Sequence, residues 1–197
     1  MILLKSTFVL FMLMAMSPKE TLKPHVLSYI DAYKFVAIDE MVRSGIPASI
    51  TMAQAILESN AGVSNLAKQT NNHFGIKCKD YWTGNAHFHP DDDRDNKGNL
   101  IPSCFRKYDS VNASYVDHSE FLMNSPHYQP LFVYDKTDYE HWAKGLELCG
   151  YASDPDYANK LIKTIKLYGL HELDYYTIEY VTPASLSKKG DVGASQK

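Results

Sequence analysis

Between Arg43 and Lys68 the chain carries one charged side chain, Glu58, in the run Ala55-Ile56-Leu57-Glu58-Ser59-Asn60-Ala61-Gly62. A lone carboxyl at the end of an apolar helix is partly desolvated. That disfavours its ionised form and raises its pKa toward the working range of a general acid. A plainer role fits the residue equally well: a helix-terminal glutamate bonded to nearby backbone or solvent. A second acidic segment reads His87-Phe88-His89-Pro90-Asp91-Asp92-Asp93-Arg94-Asp95-Asn96-Lys97-Gly98. A calcium loop of the EF-hand type needs acidic or amide ligands at positions 1, 3 and 5, glycine at 6 and glutamate at 12. Counting from Asp91 puts Asn96 and Pro102 at the last two positions, and counting from Asp93 puts Lys97 at the fifth, so neither register complies. His87 and His89 share a strand face, with no third ligand at a characteristic spacing. Neither a metal nor a cofactor is expected. Of the three cysteines, Cys78 and Cys104 flank the acidic segment with 25 residues between them. A bridge there would pin the base of that segment in an oxidising compartment; three free thiols, Cys149 included, would suit a cytosolic chain.

These groups must be held by elements that the periodicity outlines. From Val26, apolar residues at Tyr29, Ile30, Tyr33, Val36, Ala37 and Met41 form a helical stripe, with Gly45 as its stop. Pro47 opens a second helix, whose apolar face is Ile50, Ala53, Ile56 and Leu57 and whose end carries Glu58. Further helical patterns run over about 111–123, 138–149 and 155–170. Residues 71–108 have no 3.6-residue period and hold Gly84, Gly98 and two prolines, which predicts a loop and a small hairpin. The expected class is α+β, mainly α.

The whole chain has 197 residues, 45% apolar and 22% charged, which excludes wholesale disorder and low-complexity architecture. A net charge of -3 gives no electrostatic basis for a nucleic-acid partner. The excess is aromatic, with 14 Tyr and 8 Phe: flat faces with polar tips that suit a carbohydrate groove, or simply a Tyr-rich core. At the N-terminus, a lysine and an apolar run without charge until Lys19 predict a signal peptide over 1–17 and an exported protein. Translation from Met16 would instead leave the chain cytoplasmic. Residues 182–197 are too poor in apolar groups to offset their ordering entropy and are expected to form a disordered tail. The folded unit is then 20–181.

Several blocks occur in order: Ser44 to Ser59, Asn71-Asn72-His73-Phe74-Gly75-Ile76-Lys77, Trp82-Thr83-Gly84 and Phe105-Arg106-Lys107-Tyr108. Asp117 to Leu122 and Gly150-Tyr151-Ala152-Ser153-Asp154-Pro155-Asp156-Tyr157-Ala158 complete them. Over about residues 35–170 the chain resembles the family 73 glycoside hydrolases, endo-β-N-acetylglucosaminidases of the flagellar-muramidase and autolysin type. The resemblance implies a lysozyme-like helical domain with a small β-lobe beside the active-site groove. It also implies hydrolysis of peptidoglycan at the β-1,4 bond from N-acetylglucosamine to N-acetylmuramic acid. Glu58 matches the family's catalytic acid. The family's second carboxylate falls nine residues beyond Gly84, at Asp93, with Asp92 the next choice. Tyr151 matches a tyrosine lining the cleft, and Asn72, His73, Phe74 and Trp82 are the expected substrate contacts. The implied partners are peptidoglycan glycan strands, met by a monomer with no stable membrane insertion once the signal is removed. The competing readings are a non-catalytic wall-binding module, and muramidase or lytic transglycosylase specificity on the same fold.

Overall fold

The computed structural model describes residues 21–176; the expected signal peptide and tail lie outside them. Six α-helices, two short 3₁₀ helices and one hairpin make up the regular structure of the described residues. Helix α1 (Pro24–Ser44) begins with proline at its first position, where the missing N–H costs nothing, and ends at Gly45 with φ of 82°. Helix α2 (Ala48–Ser59) is buried at every position from Ala48 to Ile56, so it runs through the centre of the domain rather than along its surface. Leu57, placed on its apolar face by periodicity, is instead exposed near the helix end. Helices α5 (Tyr139–Leu148) and α6 (Tyr157–Tyr168) pack on each other and on α2, and α4 (Val111–Asn124) packs on α1. Trp142, Tyr115, Met41, Leu122 and Leu161 fill the spaces between them.

Three short elements escaped the periodicity, one of them the 3₁₀ helix at Gln129–Val133. Helix α3 (Asn65–Thr70) has six residues, too few to show a stripe, and is started by the Ser64 hydroxyl accepting from Ala67 N. A 3₁₀ turn at Leu170–Tyr175 follows α6 and packs on α2. Its buried Asp174 accepts from the backbone N–H of Ser49 at 2.8 Å and from the Ser49 hydroxyl at 2.6 Å. The start of α2, which Pro47 cannot cap with a side chain, is therefore capped from the far end of the chain.

The chain leaves α2 through three successive residues of positive φ: Asn60 at 50°, Ala61 at 52° and Gly62 at 76°. At Gly62 the Tyr29 ring lies 3.1 Å from where a Cβ would stand, so glycine answers both the backbone and the packing. The sharp turn ends the helix just beyond Glu58.

The expected hairpin is β1 (Ala86–Arg94) and β2 (Leu100–Arg106), antiparallel. Pro90 pairs with Pro102 and Arg94 with Leu100, so Asp91, Asp92 and Asp93 oppose a single residue of β2 in a bulge. Lys77 bridges to Phe105 on the other edge of β2, Cys78 N donates to Cys104 O, and the disulfide joins Cys78 to Cys104. The β-lobe is thus tied at its base to the loop that follows α3.

Candidate active site

A cleft of about 370 Å³ separates the end of α2 from the β-lobe. Glu58 lines one side, Asp91 and Asp92 line another, and Phe74, Phe121 and Tyr151 contribute apolar wall. The Glu58 carboxyl can be reached from solvent yet sits in a concavity with protein on several sides. Desolvation there pushes its pKa up, and a hydrogen bond from the Tyr157 hydroxyl at 2.9 Å partly opposes the shift. Tyr157, buried on α6, accepts in turn from Gln54 Nε2 at 3.2 Å. Gln54 lies one helical turn before Glu58 on α2, so amide, phenol and carboxyl form a directed relay ending at the acid. A carboxyl so held can donate a proton to a leaving oxygen at a defined position.

Tyr151 lies in the cleft wall as expected and stacks on Tyr157 with ring centroids 5.6 Å apart. Burial and the nearby Glu58 charge hold its phenol strongly protonated, so it can serve only as a neutral donor or acceptor. On the hairpin Asp92 and Asp93 each approach Lys77 Nζ, at 2.9 and 2.8 Å, and Asp91 does so at 2.8 Å. The Lys77 hydrogen bond is the main reason that the Asp92 and Asp93 carboxyls lie below the ordinary range. Asp91 and Asp92 line the cleft with Glu58, whereas Asp93, the position reached by counting from Gly84, does not, although all three reach Lys77. In the bulge three residues oppose one, so these consecutive side chains need not alternate as in a regular strand.

The four expected sugar contacts separate. Phe74 lines the cleft, although its ring is stacked on His118 at 4.0 Å and is mostly covered. Asn72 is 1% exposed: its amide donates to the carbonyls of Ile76 and Arg106 and accepts from the N–H groups of Phe74 and Ile76. It staples the loop to β2 and offers no polar atom to a ligand. His73 is buried against Tyr29, whose hydroxyl lies 2.7 Å from Nδ1, and desolvation lowers its pKa to about 4. Trp82 lies outside the Glu58 cleft. Its indole N–H donates to Asn85 O, the Arg106 guanidinium covers one ring face at 4.6 Å, and the ring packs over Gly84. A Cβ on residue 84 would stand 2.5 Å from that ring, which is the physical reason for Trp-x-Gly.

Sequence reasoning missed Gln54 and the hydroxyl role of Tyr157. Gln54 was detectable as an amide four before Glu58, on the same face of α2; Tyr157 read only as a core residue of the α6 stripe. Among the described residues no group of three His, Cys, Asp or Glu side chains could hold a metal ion. His87 and His89 do share a face, with rings 6.2 Å apart.

Comparison with known proteins gives the family. Residues 34–170 match the glucosaminidase family model, described as mannosyl-glycoprotein endo-beta-N-acetylglucosaminidase. The chain is 38% identical over 131 residues to the exo-glucosaminidase LytG of Bacillus subtilis, covering 64% of this chain and 45% of LytG. It is 30% identical over 145 residues to the peptidoglycan hydrolase FlgJ of Vibrio parahaemolyticus, covering 69% of this chain and 45% of FlgJ. The chain therefore spans under half the length of these curated relatives. The catalytic domain of the autolysin Auto from Listeria monocytogenes superposes with a TM-score of 0.68 at 28% identity, over 81% of this chain and 93% of that domain. With a family match over most of its folded length and a mainly helical, lysozyme-like fold bearing one small hairpin, the chain belongs to the glucosaminidase family, family 73 of the glycoside hydrolases.

Proposed function

We propose that this chain hydrolyses the glycan of bacterial peptidoglycan at the β-1,4 bond from N-acetylglucosamine to N-acetylmuramic acid. Glu58 acts as general acid and Asp92 as the base that activates water, with Asp91 and Asp93 beside it. The observation that carries the reading is the cleft itself, in which Glu58, held by Tyr157, faces the hairpin carboxylates. Glycoside cleavage needs a proton on the leaving oxygen and a carboxylate that activates water, or else attack by the substrate's own acetamido group. Desolvation keeps Glu58 protonated to higher pH than an ordinary glutamate, as a proton donor requires, while Lys77 keeps Asp92 ionised, as a base requires. The names of the relatives LytG and FlgJ support the substrate class. Export is part of the same proposal: the apolar run within residues 1–17 and the Cys78–Cys104 bridge both suit an oxidising, extracytoplasmic compartment.

Two measurements test this. Mass spectrometry of digested sacculi should find N-acetylglucosamine at the reducing ends. N-acetylmuramic acid there would mean muramidase specificity, and anhydro ends a transglycosylase. The fragment lengths separate internal cleavage from release at chain ends. Glu58→Gln should lower glycan release by about a thousandfold or more with binding to sacculi retained; wild-type lysis by this variant would refute the assignment.

A further inference from the structure

We infer that Lys77 is a positioning residue for the hydrolytic base, its ammonium gathering the three carboxylates of the β1 bulge beside the Glu58 cleft, which Asp91 and Asp92 line. This rests on the proposed role of a β-lobe carboxylate as base. In a regular strand, consecutive side chains point to opposite faces of the sheet. Asp91, Asp92 and Asp93 nonetheless all reach one Nζ, at 2.8, 2.9 and 2.8 Å. The bulge makes that convergence feasible, because these residues lie between the Pro90–Pro102 and Arg94–Leu100 pairs against Ile101 alone. It also removes the ladder that would otherwise fix their backbone, so another group must hold the carboxylates in place.

Lys77 is built for that task. Its backbone bridges to Phe105, the neighbouring residue carries the disulfide to Cys104, and Arg106 N donates to Ile76 O. A rigid anchor on one edge of β2 thus sends a flexible four-carbon arm toward the acids of β1, passing Phe105 with Nζ 5.9 Å from its ring centre. The other charged groups facing the cluster are few. Glu58 faces it across the cleft from α2, and Lys79 lines the same cleft. Arg106 is occupied by Asp117. Partial desolvation disfavours the Lys77 charge, yet the three carboxylates outweigh it and the ammonium is held firmly protonated. Three carboxylates share one cation, so one of them can turn to a water while the other two keep the lysine in place. Asp92, with its side chain 80% exposed, is the freest to do so.

The test compares the full chain with Lys77→Met, Lys77→Arg and the triple Asp91→Asn/Asp92→Asn/Asp93→Asn variant, measuring reducing-sugar release from soluble glycan fragments between pH 3 and 9. The acidic limb of kcat/KM reports ionisation of the base. Lys77→Met should move that limb up by about half to one pH unit and lower kcat about tenfold, with KM within about twofold. Lys77→Arg should return the limb toward its original position. An unmoved limb in Lys77→Met, together with an inactive triple variant, would overturn the role of Lys77 and leave the base assignment standing. An active triple variant would overturn the base assignment itself, in favour of substrate assistance. If Lys77→Met fails to fold, carbon NMR titration of wild type decides: Asp92 and Asp93 should titrate below 3.8, and titration at or above that value would overturn the inference.

Discussion

Glu58 has an environment that pulls in two directions. Desolvation in the cleft favours its neutral form, while the Tyr157 hydroxyl at 2.9 Å donates to the ionised form. Removing that donor in Tyr157→Phe leaves desolvation unopposed, so the Glu58 pKa rises further. Because a general acid must be protonated, the alkaline limb of the pH–rate profile should then move to higher pH, while kcat falls about tenfold through loss of orientation. An alkaline limb that stays in place would separate the phenol from the acid. The buried Gln54 is expected to act through Tyr157, and its effects should not add to those of Tyr157→Phe.

At the scale of elements, the α2 end is the enclosed half of the site and the hairpin the exposed half. Helix α2 is enclosed by α1, α5 and α6 and capped by Asp174, so Glu58 rides on the most buried element of the domain. The hairpin has two strands and is held to the helical body by Lys77, Cys78 and the Asn72 staple. A two-stranded hairpin is marginal on its own, which gives its attachments disproportionate weight. Replacing Cys78 and Cys104 by serine should lower stability by about 3 kcal/mol on loop-entropy grounds. Denaturant unfolding with and without reductant measures this. Glycan release should fall further than the change in overall folding accounts for, since the lost tie adjoins Lys77.

Across the whole molecule, acid stability depends on buried groups with opposing signs. Burial depresses His118 to about 3 and His73 to about 4, whereas it raises Asp174 to about 6, with Ser49 partly offsetting. The unfolded chain protonates its histidines near 6.5 and the folded chain does not, so the stability they contribute is full above that pH and is lost on acidification. Asp174 works the other way: its contribution is present below about 4 and lost as pH rises through about 6. Between pH 6 and 4 the two histidines destabilise the fold toward acid, while Asp174 and the other carboxyls that burial raises, Glu58 and Asp39, act in the opposite sense. Each group changes that slope by up to about 1.4 kcal/mol per pH unit. His118 is fully buried, and its ring nitrogens find no hydrogen-bond partner among the described residues. His118→Phe should therefore remove part of the stability loss on going from pH 7 to 4, and Asp174→Asn should add to that loss, both read in thermal unfolding.

The local features of this protein were legible in its sequence because they are set by short-range periodicity and backbone preference. The α1 stripe with Gly45 as its stop, the apolar α2, the aperiodic stretch that becomes the hairpin and the single charge at Glu58 all lie within a few turns of chain. The excess of tyrosine was legible only as a count: Tyr29, Tyr115 and Tyr157 prove to be buried residues whose hydroxyls find partners on other elements. What faces Glu58 was decided by tertiary structure. Tyr157 is 99 positions away, the hairpin acids are placed by a bulge that no alternation predicts, and Asn72 turns inward to satisfy loop carbonyls. Periodicity tells which face of a helix is buried, but not what it is buried against. That depends on how the elements pack, and the packing of α6 on α2 and of Lys77 against the bulge is what places a lone carboxyl beside a phenol and across a cleft from the hairpin carboxylates.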